Sequence, residues 1–228
     1  MSIRLHEVTR FYHTGGDHVT ALEKLSLQID PGTMVALMGP SGSGKSTVLN
    51  VCAGLDTPDS GEVVVLEKSV NSMSASARIS FRRENIGVVF QDNNLIQEFN
   101  ALENVMLPLL ARGIRHSEAT EIAIESLERL GVGALKKRFP HEMSGGQVQR
   151  VGISRAIAGG KKVLLTDEPT GSLDSHNTQE VFSALQELAL DGATVLVATH
   201  DPSVHECAHN VLHLVDGRLA HDLRNPHA

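Results

Sequence analysis

The run Gly39-Pro40-Ser41-Gly42-Ser43-Gly44-Lys45-Ser46-Thr47 carries the residue types that grip a polyphosphate. Gly39 to Ser46 fits the pattern G-x-x-x-x-G-K-[S/T]. Glycines let such a loop curl until its N–H groups point inward. A helix starting at its end adds the positive pole of its dipole. Lys45 then bridges the β- and γ-phosphates, and the Ser46 hydroxyl suits Mg²⁺. Asp167-Glu168 follows an apolar run and supplies two further tasks. Asp167 fits the Mg²⁺ shell, and Glu168 accepts a proton from an attacking water or positions it. The plainer reading of that pair is an acidic helix start beside Pro169.

Four more places bear on the same chemistry. His200 stands after the apolar run Thr194–Ala198, where ligands of α/β sheets bind, and this favours a γ-phosphate contact over a plain loop histidine. Gln91 ends the run Ile86–Phe90, as a ligand-facing or a loop-capping amide. Tyr12, the only tyrosine, is predicted in a polar loop with Gly15 and Gly16. It is either a half-buried loop anchor or an aromatic face for adenine, and local sequence leaves both open. Ser144-Gly145-Gly146-Gln147 is a second anion-binding helix start, with Ser144 as N-cap and the glycines leaving backbone N–H groups uncovered. One triphosphate rarely uses two such helix starts from one subunit. A dimer with ATP between subunits is the simplest resolution.

The elements that must hold these residues read as alternating strands and helices. Ile3–Val8, Leu25–Ile29, Thr33–Met38, Glu62–Leu66, Ile86–Phe90, Lys162–Thr166 and Thr194–Ala198 are predicted strands. Thr47–Ala53, Ser76–Asn85, a helix from Ser144 to about Ala158 and His176–Leu190 are predicted helices. Asn210–Val215, Asp216-Gly217 and Arg218-Leu219 read as a terminal hairpin. Between them the alternation stops. Asn100 caps a helix through Leu109, with Pro108 as a kink point, and Ser117 caps another ending near Gly131. Roughly residues 92–140 read as helical. With the helix after Ser144 they make a lobe of about 92–159 on a core of about 1–91 and 160–228. The fold class is α/β: a phosphate-loop core with a parallel sheet flanked by helices, an N-terminal antiparallel β part and an inserted helical lobe.

Composition sets outer limits. The chain has 228 residues, 41% hydrophobic, which is enough for the core of one large domain. Its net charge of -7 argues against a nucleic-acid partner, which needs a basic face. Arg82-Arg83, Lys136-Lys137-Arg138 and Lys161-Lys162 are read as solvated surface. Cys52 and Cys207 form no disulfide framework, which fits a reduced cytosol. No apolar run approaches the ~20 residues that span a bilayer. His205, Cys207 and His209 lack a closed ligand set, so no metal is expected there.

Taken in order, these motifs resemble those of the ATP-binding subunit of an ABC transporter, over nearly the whole length. Gly39–Thr47 matches the Walker A loop, Gln91 the Q-loop, and Ser144–Gln147 the signature motif, with Met143 where leucine is usual. Val163–Asp167 matches Walker B, with Glu168 as catalytic glutamate. Ser172-Leu173-Asp174 matches the D-loop and His200 the switch histidine. Tyr12 falls where the family places its adenine-stacking aromatic. The resemblance implies ATP and Mg²⁺, the latter held by Ser46, Gln91 and Asp167. It also implies a head-to-tail homodimer in which Lys45 and Ser46 of one subunit face Ser144 and Gly146 of the other across each ATP. A permease would dock on the lobe near Gln91–Pro108, which places the chain on the cytoplasmic face of the plasma membrane. Asp167–Asp174 and Asn100–Leu109 resemble the macrolide-export and lipoprotein-release group, which also takes in hemin and antimicrobial-peptide exporters. Members usually carry Asn where Ser172 stands, a mild departure. The implied function is ATP-driven export of a hydrophobic or amphipathic cargo chosen by the permease. The main alternative is a related ATPase that transmits force to cell-wall hydrolases. A chromosome-organising ATPase would need a long coiled-coil insertion, and a small-molecule kinase would lack Ser144–Gln147.

Overall fold

The apolar runs between the reactive residues fold as buried strands of a largely parallel sheet, which needs cover on both faces. The computed structural model describes residues 1–14, 17–92, 94–171 and 173–224. Its N-terminal half comprises β1 (Ile3–Thr14), β2 (Asp17–Ile29), β3 (Met34–Met38), α1 (Lys45–Cys52), β4 (Ser60–Val65), β5 (Lys68–Ser69), α2 (Ala75–Asn85), β6 (Ile86–Val89) and α3 (Ala101–Leu110). Then come α4 (His116–Arg129), α5 (Gly145–Ile157), β7 (Val163–Asp167), α6 (Ser175–Leu190), β8 (Thr194–Thr199), β9 (Asn210–Val215) and β10 (Arg218–Arg224).

One sheet has the strand order β10-β9-β3-β8-β7-β6, and a second has β2-β1-β4-β5. The first is parallel from β9 through β6, with β10 antiparallel at its edge. The second is antiparallel throughout. Side chains alternate across a strand, so the larger sheet divides the core in two. Met34, Ala36 and Met38 of β3 join the cluster built with α3 to α6, while Val35 and Leu37 join the cluster around α1 and the smaller sheet. The carboxyl ends of β3, β8, β7 and β6 lie side by side. They deliver Gly39, His200, Glu168 and Gln91 to one edge in that order.

α3, α4 and α5 pack on one another. Asn100 and Glu103 close the expected capping box of α3, which runs on past Pro108 to Leu110. α4 begins earlier than predicted, at His116, with Arg115 in the cap position and no side-chain cap. Ser117 therefore lies inside the helix. A second difference concerns Tyr12. It lies in β1, paired with Val19 of β2, and not in a loop. The ladder shifts register between Leu5 and Val8, Val8 and Arg10, and Arg10 and Phe11. Glu7 and Lys24 take positive φ of 48 and 46. Such bulges break the two-residue alternation on which strand prediction depends. Gly15, Gly16 and Ser172 lie outside the described residues.

Candidate nucleotide site

The phosphate loop owes its shape to Gly44, the N-cap of α1, with φ 105. A Cβ there would be strained by the left-handed backbone and would meet the Ala21 carbonyl oxygen at 2.4 Å. α1 has no side-chain cap and no acid in its first turn, so its leading N–H groups are left for a ligand. The loop is tied down elsewhere: Ser43 N–H donates to the Pro40 carbonyl at 3.2 Å, and Gly217 N–H to the Ser43 carbonyl at 3.0 Å. Lys45 is buried. Its Nζ donates to the Gly39 and Pro40 carbonyls at 2.7 and 3.1 Å, which arches the charge over the loop. Ser41, Gly42 and Ser46 are exposed, whereas Ser43 and Thr47 are buried. The Ser43 hydroxyl is buried with no hydrogen-bond partner, a group that a phosphate oxygen would satisfy.

Glu168 takes φ 46, left-handed for a residue with a side chain. Such backbone costs on the order of 1–3 kcal/mol and collects at functional sites. Its N–H donates to the Ala198 carbonyl at 2.8 Å, locking β7 to β8 at the site. Glu168 Oε1 lies 3.9 Å from Lys45 Nζ, and Oε2 lies 2.9 Å from His200 Nδ1. The carboxylate is thus held between a buried ammonium and an imidazole that is 72% exposed and free to meet a ligand. Asp167 is half-buried at the end of β7. Gln91 is exposed, and its Nε2 lies 3.9 Å from where a Cβ on Gly171 would stand, beside the turn that Gly171 N–H closes on the Glu168 carbonyl.

Tyr12 flanks the same helix start. Its hydroxyl donates to Asp56 Oδ2 at 2.7 Å, and the Arg10 guanidinium carbon stands 4.9 Å from its ring centroid. Burial raises the Tyr12 pKa, the Asp56 contact raises it further, and the Thr47 hydroxyl opposes both. The Thr47 contact puts Tyr12 beside the phosphate loop. Sequence reasoning missed Arg10 and Asp56, because no local pattern joins β1 to the loop after α1.

Ser144–Gln147 forms a separate cluster. Ser144 N–H donates to Gln147 Oε1 at 3.0 Å, and Gln147 N–H to Ser144 Oγ at 3.4 Å. Gln147 therefore spends its side-chain oxygen on a capping box. Ser144 and Gly145 are exposed and Gly146 is buried. Asp174 caps α6, and both its oxygens accept from Asn177, a partner that sequence reasoning also missed. Spacing offered the signal: Asn177 is three residues past a helix cap. Among the described residues, no hydrogen bond or ion pair joins Ser144 or Asp174 to the loop Gly39–Thr47.

The donor set fits Mg²⁺ carried by a nucleotide. Among the described residues no group of three or more His, Cys, Asp and Glu side chains could hold a metal unaided. Mg²⁺ bound with phosphates takes only one or two protein groups, and the exposed Ser46 hydroxyl and the Asp167 carboxylate are of the right kind.

A family profile described as "ABC transporter" matches residues 22–171. The chain is 40% identical over 220 residues to "Macrolide export ATP-binding/permease protein MacB" of Salmonella choleraesuis, covering 96% of this chain and 34% of that one. It thus spans about a third of the length of the curated relatives it matches. Among solved structures, the dimeric MJ0796, described as a bacterial ABC transporter cassette, superimposes with a TM-score of 0.89 at 38% identity, covering 97% of this chain and 98% of that one. A post-hydrolysis dimer of MJ0796 bound to ADP and Pi gives 0.89 at 37% identity over the same shares. No described helix is long and apolar enough to cross a membrane.

Proposed function

The chain belongs to the ABC transporter family, and from that premise we propose that it is the ATP-hydrolysing subunit of a bacterial exporter, acting as a head-to-tail homodimer. The observation that carries this reading is the division of the anion-binding groups into two clusters within one chain, which no hydrogen bond or ion pair joins among the described residues. Lys45, Glu168 and His200 converge on one, and Ser144–Gln147 begins a helix in the other. Each ATP would lie between the phosphate loop of one copy and the Ser144 helix start of its partner.

In this reading the loop N–H groups and Lys45 bind the triphosphate, and Lys45 exchanges the Gly39 and Pro40 carbonyls for phosphate oxygens. Tyr12 offers adenine the ring face opposite Arg10. Ser46 and Asp167, with Gln91 nearby, would hold Mg²⁺, which supplies charge neutralisation on the phosphates. Glu168 orients the attacking water and takes its proton, while the water oxygen bonds to the γ-phosphorus and the bond to the ADP oxygen breaks. His200 fixes the Glu168 carboxylate and faces the γ-phosphate. Closure does work because ATP binds the closed pair better than the open one.

The helices of residues 92–159 would form the lobe that meets a membrane permease. A groove of about 480 Å³ runs from Leu55, Ile79 and Phe90 to Leu107 and Pro108. Arg82, Arg83, Arg155 and Lys161 also line it, with no carboxylate among the lining residues. Two of these cations depart from the solvated-surface expectation: Arg82 is half-buried, donating to the Gly54 carbonyl at 3.1 Å, and burial pushes Lys161 down to about 8. The groove suits a cytoplasmic permease helix with an apolar stripe and flanking carboxylates, which keeps the chain at the inner face of the membrane. Arg82→Glu with Arg83→Glu should weaken co-purification with the permease roughly tenfold and spare ATP binding; unchanged co-purification removes the groove from this role. The cargo, whether macrolide, hemin, lipoprotein or peptide, would be chosen by that permease.

The dimer reading is tested with Glu168→Gln. It should bind ATP, sediment as a dimer with ATP, and lose roughly 10²–10⁴-fold of turnover. Turnover near that of the unaltered chain would strip Glu168 of its role.

A further inference from the structure

We propose that Asn177 is a positioning residue that fastens the Ser144–Gln147 helix start to Asp174, so that one chain presents both to its partner as a single piece. The proposal rests on the sandwich dimer above. Asn177 lies in the first turn of α6. Its N–H donates to Asp174 Oδ1 at 2.9 Å and its Nδ2 to Asp174 Oδ2 at 2.8 Å. Turning the amide over would set Oδ1 against a carboxylate oxygen, so this network settles its orientation. The Asn177 N–H, then its amide, hold the Asp174 carboxyl below its ordinary range, which keeps the acceptor ionised.

The remaining atom, Oδ1, is aimed at Gly146. A Cβ on Gly146 would stand 2.3 Å from Asn177 Oδ1, 2.7 Å from its Cγ and 3.0 Å from its Cβ. Gly146 is in the first turn of α5 and is not among the glycines with positive φ. Helical backbone accepts alanine there more readily than glycine. Space, and not backbone conformation, therefore favours glycine at this position, since an added Cβ would push the Asn177 amide off Asp174. Next door, a Cβ on Gly145 would stand 3.2 Å from Leu173 Cδ2. Both glycines of the helix start are thus seated on residues flanking Asp174. A movement of the α6 start carries the α5 start with it.

The alternative account is that Gly146 is small only so that a phosphate from the partner subunit's site can approach. A double-mutant cycle separates the two. In the Glu168→Gln background, Gly146→Ala, Asn177→Ala and the pair together are compared by ATP-driven dimerisation in sedimentation and by thermal unfolding without nucleotide. Gly146→Ala should weaken dimerisation roughly tenfold or more and lower Tm, because an overpacked contact must give way. Asn177→Ala alone should weaken dimerisation by roughly threefold, through a less firmly held Asp174. The pair should recover Tm and dimerise close to Asn177→Ala alone. If the pair is as poor as Gly146→Ala in both measurements, the seat is not Asn177 and the proposal falls. If the parent Glu168→Gln chain does not dimerise with ATP, the sandwich reading falls instead and takes the positioning role with it. Recovery of Tm by the pair would then still report the contact by itself.

Discussion

The chain starts two helices on glycine-bearing turns, α1 after Gly44 and α5 after Ser144, and finishes those starts differently. At α1 no side chain caps the helix among the described residues, and a buried lysine bends over the loop. At α5 a serine and a glutamine cap each other, and Ser144 and Gly145 face solvent. The first arrangement is unfinished without an anion. The second has its N-cap bonds made within the chain and leaves only the Gly145 and Gly146 N–H groups for an anion, so the chain folds it whether or not a ligand comes. A site that recruits nucleotide from solution needs the first kind. A surface that must persist until a second subunit arrives needs the second.

The largest effect expected from breaking this contrast is at Lys45. Lys45→Ala removes the one ammonium of the loop and leaves the Gly39 and Pro40 carbonyls without their donor. Charge-assisted hydrogen bonds contribute about 1.5–3 kcal/mol each. ATP affinity of the isolated chain should therefore fall at least tenfold and up to roughly a hundredfold, as read by titration with a fluorescent nucleotide. Equal affinity would mean that the unfinished helix start does not bind the triphosphate.

A smaller and more selective effect is expected at Ser144. Ser144→Ala and Gln147→Ala each break one arm of the same capping box, at a cost of about 0.5–2 kcal/mol in helix stability. If Ser144 were only a cap, the two variants would behave alike. The dimer reading expects ATP binding by the isolated chain to survive both, and ATP-driven dimerisation to suffer roughly tenfold more from Ser144→Ala, since its hydroxyl also faces phosphate. Matching losses in a sedimentation assay would reduce the α5 start to ordinary capping.

Both starts were legible in the sequence, while their surroundings were not. The phosphate loop is a local pattern: Gly39 to Ser46 names its chemistry through spacing alone, and the buried runs before Gly39, Glu168 and His200 place all three at strand ends. The α5 start was equally readable from Ser144 to Gln147, because capping is local. What surrounds each cluster was not. Asn177 reaches Gly146 from another helix, Asp56 reaches Tyr12 from the loop after α1, and Asn104, fully buried, accepts from Ile96 N–H at 2.8 Å and donates to the Ile96, Phe99 and Asn100 carbonyls. Such contacts depend on chain folding back, and spacing along the chain carries no trace of them. Tyr12 itself was misplaced into a loop because successive bulges in β1 erase the alternation that reveals a strand.

Tyr12 gives the smallest predicted effect and the finest test of the first region. Its ring has one face under Arg10 and its hydroxyl on Asp56, so its orientation is fixed before any base arrives. Tyr12→Phe keeps the ring and the cation over it while losing the Asp56 hydrogen bond. ATP affinity should then change by no more than about threefold, since a net hydrogen bond contributes about 0.5–1.5 kcal/mol and this one is not to the ligand. Tyr12→Ala removes the stacking surface, for which about 1–3 kcal/mol per base is usual, and should weaken ATP roughly tenfold. Inorganic triphosphate, which has no base, should bind both variants like the unaltered chain. If triphosphate weakens in step with ATP in Tyr12→Ala, the residue supports the loop through Thr47 and does not stack on adenine.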